Sequence, residues 1–281
     1  MPTEKELINE RLRKLDELRK QGINPYPYSY NPKHSTNELS EKYKKLKAHE
    51  TTKDKVKVAG RIVALRRMGK ISFGSVRDNT GKIQVYFKFD NLKDDYKLTK
   101  LLDVGDWIGV EGLIFKTKTG ELTIEVKKFV LLCKSTRPFP EKWHGLKDIE
   151  IRYRKRYLDL IVNPEVKEVF VKRTKIIDSI RELLNSKEFL EVDTPILQPI
   201  YGGANAKPFK TVLNALKMNV YLRISNELYL KKLIVGGFDK VYEFAKDFRN
   251  EDIDRTHNPE FLQIEIFLDV FITRGDSDAK K

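Results

Sequence analysis

Between positions 248 and 261 the chain gathers an unusual set of reactive and binding groups. Phe248-Arg249-Asn250-Glu251 is followed, six residues after Glu251, by His257-Asn258-Pro259-Glu260-Phe261. The stretch supplies a permanent cation, two carboxylates, an imidazole, an amide and an aromatic ring. Such a set suits a site that holds a nucleotide triphosphate beside an attacking carboxylate. Two anions must then be neutralised together, and a planar guanidinium does so with paired hydrogen bonds. The plainer alternative is a polar turn between two strands, with Arg249 and Glu251 as a surface ion pair.

The wording FRNE followed by HNPEF resembles motif 2 of class II aminoacyl-tRNA synthetases, in the form carried by the lysyl subgroup and its aspartyl and asparaginyl relatives. The resemblance implies activation of lysine by ATP, with Mg2+ bridging phosphates, followed by transfer to the terminal ribose of tRNA(Lys). It assigns catalysis to Arg249 and Glu251, and ATP binding to these two with His257, Asn258 and Phe261. His257 would meet the distal phosphates and Phe261 would lie flat on adenine, where stacking contributes roughly 1–3 kcal/mol. Little covalent chemistry falls to the protein, so positioning and electrostatics would carry the rate. The same resemblance places the amino-acid pocket at the backbone of Gly203 in Gly202-Gly203-Ala204-Asn205, and at Glu227, Glu265 and Phe267. Phe267 stands where the family commonly has a tyrosine that supports the lysine ε-ammonium, a departure that touches lysine selectivity. As plain sequence, Glu227 could instead pair with Lys231 one helical turn on, and Glu265 could face solvent.

These residues need a scaffold, and the patterning supplies a mixed α+β one. Thr3 and Glu6 form a capping box for a first helix, along which Leu7, Leu12, Leu15 and Leu18 share one face before Gly22 ends it. Its other face carries Lys5, Arg11, Arg13, Lys14, Arg19 and Lys20, read either as solvated or as touching phosphates. From Val56 to Leu132 the period falls to two. Five strands, at 56–62, 71–77, 82–87, 107–112 and 122–126, with a helix over 91–102 between the third and fourth, describe an OB-fold barrel. The segments Met68–Phe73 and Lys82–Val85 resemble the anticodon-binding barrel of lysyl-tRNA synthetases. There Phe73 would stack on a base, Gln84 would read it and Glu121 would read another. Phe73 could alternatively be a core ring.

The domain expectation is a basic helix and extension over 1–50, the barrel over 51–135, a linker over 136–150, a partial class II catalytic domain with an antiparallel sheet over 151–270 and a disordered tail over 271–281. Pro164 to Lys187 reads as one long helix with Val166, Val169, Phe170, Ile176, Ile177, Ile180, Leu183 and Leu184 at the helical period, leading into 189–195. This resembles class II motif 1, which implies a homodimer; periodicity alone speaks only for burial. The resemblance stops near residue 268, before motif 3, so an incomplete catalytic domain is expected. A tRNA-binding or dimerising remnant without catalysis is the rival reading.

Composition allows an RNA partner. Lys+Arg number 55 against Asp+Glu 41, a formal charge of +14, so the field draws polyanions. The single Cys133 excludes an intramolecular disulfide or a thiol metal cluster. No signal peptide or long apolar run is present, so a soluble cytoplasmic protein is expected.

Overall fold

A side-chain cap sets the start of the first helix. The computed structural model describes residues 3–139 and 146–269. Helix α1 (Glu4–Lys20) opens on both hydrogen bonds of the Thr3–Glu6 box and closes at Gly22, whose φ of 73° only glycine adopts cheaply. Leu15 and Leu18 are buried, whereas Leu7 and Leu12 are exposed. Two of the six basic residues on the supposed outer face point inward instead. The Arg11 guanidinium donates to the carbonyls of Ser135, Arg137 and Val104, and Lys14 pairs with Asp103 at 2.7 Å. The apolar stems of these long side chains cover the barrel while their heads bridge its polar loops. A second capped helix, α2 (Thr36–Lys42), lies next in sequence.

The barrel strands are β1 (Thr51–Met68), β2 (Ile71–Arg77), β3 (Lys82–Lys88), β4 (Trp107–Lys116) and β5 (Leu122–Cys133). They close in the order β1-β2-β3-β5-β4, antiparallel except for the parallel β3–β5 seam. Alternation puts Val56, Val58, Ile62, Val76, Ile83, Val85, Phe87, Ile108, Val110, Ile114, Ile124 and Val126 in one buried core. The helix expected over 91–102 is instead one α-turn, α3 (Phe89–Leu92), and a 3₁₀ segment over Lys93–Lys100, because Lys93 takes a φ of 50° that ends an α-helix. The tighter winding brings Tyr96 and Thr99 inward, and the Tyr96 hydroxyl bonds Ser72 and the Gly69 carbonyl.

Two short helices follow, α4 (Ile149–Arg154) and α5 (Arg156–Val162), joined by the buried Asp159, which accepts from Arg152, Arg156 and Asn163. The chain divides into compact units at Met1–Pro164 and Glu165–Lys281, so these helices fall with the barrel, on the other side of the break expected near residue 151. The tail over 271–281 lies outside the described residues.

The second unit starts with α6 (Val166–Ser186). Of its eight periodic apolar residues only Val166 and Leu184 are buried; Val169, Ile176 and Leu183 are 65%, 60% and 55% exposed. Burial within the chain, which the period suggested, is thus complete at only two of the eight positions. Three-stranded sheets complete the unit. In one, β10 (Lys240–Phe248) is central, antiparallel to β11 (Glu260–Leu268) and parallel to the two-residue β6 (Leu190–Glu191). In the other, β9 (Met218–Leu222) lies between β7 (Leu197–Gln198) and β8 (Lys210–Leu213), both antiparallel. Helix α7 (Glu227–Val235) follows β9.

Candidate functional site

The β10–β11 hairpin has two unlike faces. Its register sets Glu243 opposite Glu265, Ala245 opposite Gln263 and Asp247 opposite Phe261, all pointing to one side, while Tyr242, Phe244, Leu262 and Ile264 point to the other. The polar face continues into the connection, where the Arg249 N–H donates to the Pro259 carbonyl at 2.9 Å. The result is a cavity of about 630 Å³ lined by Arg249, Glu251, Asp252, Asp254, Thr256, His257, Asn258 and Phe261. All five residues expected to contact ATP therefore line one cavity.

Within it, the Arg249 guanidinium lies 5.0 Å from the Phe261 ring centroid, and its buried Nε has no hydrogen-bond partner among the described residues. Glu251 accepts the Lys207 N–H at 3.1 Å, and the Asn250 N–H donates to the Lys207 carbonyl at 2.7 Å. The Arg249–Glu251 surface pair of the plainer reading does not form; Glu251 holds the 202–209 loop instead. His257 is exposed, with Nδ1 2.7 Å from an oxygen of Asp254.

The amino-acid residues gather beside it. Gly203 has φ 86°, and a Cβ there would lie 2.9 Å from the Ser225 hydroxyl and 3.0 Å from the Glu227 Cβ. Ser225 donates to Glu265 at 3.1 Å and accepts the backbone N–H of Glu227 at 3.1 Å, so Gly203, Glu227 and Glu265 adjoin one hydroxyl. Glu227 also pairs with Lys231, the helical contact that plain sequence allowed. Burial holds the Glu265 carboxyl above its ordinary range, although Ser225 opposes this, and one of its oxygens has no partner among the described residues. Phe267 is half-buried on the same face, opposite Val241.

Sequence reasoning missed the polar layer beneath. Arg223, nearly fully buried, pairs with Glu243 at 2.7 Å and Asp247 at 3.3 Å, and donates to the carbonyls of Lys246 and Thr194. Glu243 and Asp247 share one face of β10, but nothing in the sequence ties them to Arg223. Asp247 is fully buried, and both its oxygens lack a hydrogen bond among the described residues. Burial pushes its carboxyl up to about 6; Arg223 and Arg249 oppose the shift, and Glu265 and Glu243 add to it.

A carboxyl raised in the fold from its ordinary value of about 3.9 makes the native state bind the extra proton. Stability is then lost as pH climbs from near 4 through 6, by at most about 3 kcal/mol. Asp247→Asn is accordingly expected to stabilise the chain above pH 6, with the gain vanishing near pH 4. Urea denaturation at both pH values measures it, and a destabilised variant at pH 7 would contradict the assignment.

On the barrel, Phe73, Gln84 and Tyr86 all lie on the outward face. Phe73 stacks on Tyr86 with centroids 4.7 Å apart and planes at 23°, and Tyr86 meets Phe115 edge-on at 6.0 Å. Phe73 is thus outside the core. Gln84 accepts from Thr123 at 2.8 Å, and Glu121, at the mouth of β5, is exposed. Of the supporting rings, Tyr86 was visible in sequence only as a strand aromatic, and Phe115 fell beyond the end of the fourth expected strand at 112.

No group of three or more metal-ligating side chains exists among the described residues. Magnesium habitually keeps waters and rides on substrate phosphates with one or two carboxylates, so the cavity suits the metal only as a companion of a nucleotide. The cavity's guanidinium, imidazole and ring fit the nucleotide itself. No helix of the described residues is long and apolar enough to cross a membrane.

Comparison with known proteins agrees with both halves. Residues 56–132 match the family model of the OB-fold nucleic acid binding domain, and residues 148–275 that of tRNA synthetases class II (D, K and N). Lysine--tRNA ligases are similar along nearly the whole chain: 53% identity with that of Carboxydothermus hydrogenoformans over 93% of the chain and 53% of the relative. The ligase of Moorella thermoacetica is 49% identical over 95% and 54%, and that of Fervidobacterium nodosum 51% over 94% and 52%. The chain spans about half the length of the curated relatives it matches.

Proposed function

The chain belongs to the class II tRNA synthetases of the D, K and N group, and from that premise we propose that it serves as the anticodon-binding and ATP-binding part of a lysine--tRNA ligase acting in the cytoplasm. The convergence of Arg249, Glu251, His257, Asn258 and Phe261 on one cavity, with Glu265 and Gly203 beside it, carries the reading. Arg249 neutralises the lysine carboxylate and the α-phosphate as they meet, and Phe261 supports adenine. His257 faces the distal phosphates. Glu227, Glu265 and the Gly203 carbonyl take the α-ammonium. Phe267 lines the pocket with a ring that has no hydroxyl to offer the ε-ammonium. Magnesium, when bound with ATP, supplies charge neutralisation between phosphates.

The test is lysine-dependent exchange of pyrophosphate into ATP. Exchange by the purified chain supports the enzyme reading, and RNA binding without exchange supports the rival, a tRNA-binding or dimerising remnant.

The exposed stripe Val169, Ile176 and Leu183 on α6 supports self-association as a homodimer. The outward rings of the barrel support binding of tRNA(Lys) by stacking. Phe73→Ala is expected to weaken binding of an anticodon stem-loop by about 1–3 kcal/mol, measured by fluorescence anisotropy. Equal affinity of mutant and parent would remove Phe73 from the interface.

A further inference from the structure

Resting on the nucleotide reading of the cavity, we propose that Asp254 is a positioning residue. It holds His257 in the form protonated at Nδ1, and so makes contact between Nε2 and a polyphosphate conditional on the uptake of one proton.

The geometry leaves the carboxylate little freedom. One Asp254 oxygen accepts the N–H of Thr256 at 2.6 Å, the N–H of His257 at 2.7 Å and the Thr256 hydroxyl at 3.0 Å. The other lies 2.7 Å from His257 Nδ1. The Thr256 oxygen, its hydrogen committed to Asp254, also faces Nδ1 at 3.2 Å. Nδ1 is thus surrounded by acceptors and must be the donor. The backbone N–H of Thr256, together with His257, holds the Asp254 carboxyl well below its ordinary range, so it has no proton to give.

A neutral imidazole with its hydrogen on Nδ1 presents a lone pair at Nε2. A phosphate oxygen presents lone pairs as well, so the two repel until Nε2 gains a proton from water. The imidazolium then sits between the Asp254 carboxylate and the phosphate. The other charged groups lining the cavity are Glu251, Asp252 and Arg249, the last a further cation for phosphate.

The substitution Asp254→Asn discriminates sharply. The amide would keep an oxygen for the two backbone N–H groups but turn its NH2 toward Nδ1, which must then accept. The neutral ring moves its hydrogen to Nε2 and can meet phosphate without taking up a proton.

Long-range 1H–15N correlation spectra of the 15N-histidine chain read the tautomer directly, with the His257 ring identified by its loss in His257→Gln. Above neutral pH the parent is expected in the Nδ1–H form, Asp254→Asn in the Nε2–H form, and Asp254→Ala in a mixture. Affinity for tripolyphosphate, measured by calorimetry, should fall more steeply with rising pH in the parent than in Asp254→Asn. The difference should approach about tenfold per pH unit, one proton's linkage. The probe's own titration is common to both proteins and cancels.

An Nε2–H ring in the parent, the same tautomer in parent and Asp254→Asn, or equal pH slopes would overturn the proposal. Failure of both tripolyphosphate and ATP to bind would defeat the nucleotide reading. That failure is distinguishable, because the tautomer comparison needs no ligand.

Discussion

Arg249→Lys is expected to lower lysine-dependent pyrophosphate exchange by about 10²–10³ while leaving the fold intact, the usual cost of losing one preorganised electrostatic contact. The guanidinium already lies over the Phe261 ring, and its Nε is withdrawn from solvent with no partner among the described residues. Its free donors are therefore aimed rather than spent. Lysine keeps the charge but concentrates it on one tetrahedral nitrogen, which cannot span a carboxylate and a phosphate with paired, coplanar bonds and packs less well against a ring. The measurement is exchange kinetics on parent and variant, with unchanged thermal unfolding as the control. A variant within a few-fold of the parent would mean that Arg249 supplies only charge.

Lys134→Met should cost the barrel about 3–5 kcal/mol, the penalty for leaving a buried charge without its partner. The Lys134 ammonium is fully buried and donates to Asp103 at 2.6 Å, Asp106 at 2.8 Å and the Leu101 carbonyl at 2.9 Å. Asp106 is equally buried. Methionine fills the space but strands the Asp106 carboxylate, whereas Asp103 retains Lys14. Adding Asp106→Asn should recover a substantial part of the loss, since the stranded charge goes with it. Urea unfolding of the single and double variants reads both effects, and a single variant within about 1 kcal/mol of the parent would mean that Asp106 is not charged in the fold.

Local signals were the legible ones. The Thr3–Glu6 cap and the period-two strands each depend on neighbours a few residues away, and each formed as expected. The cluster at 249–261 was legible because its members share one hairpin connection, so sequence distance stood in for distance in space. Arg11 and Lys14 were misjudged because a basic residue on a helix looks solvated until the loops at 103–104 and 135–137 come to meet it. The layer formed by Arg223, Glu243 and Asp247 joins the end of β9 to β10, and no spacing in the chain announces that meeting. The α6 stripe kept its period yet stayed exposed, since amphipathicity records that a face wants a partner without saying which.

The parallel seam between β3 and β5 also sets a clock. It pairs Gln84 with Thr123 across 39 positions of chain, a contact whose loop must be closed before any bond rewards it. Hairpins β1–β2–β3 and β4–β5 can zip early by local contacts. Phe73 and Tyr86 belong to the first of these pieces and Phe115 to the second, so the three rings come into line only when the two join, through the seam or through the still longer-range pairing of β1 with β4. On refolding, recovery of the complete aromatic face should therefore lag behind the local hairpins, and RNA capture that depends on all three rings would report closure of the barrel rather than formation of its strands.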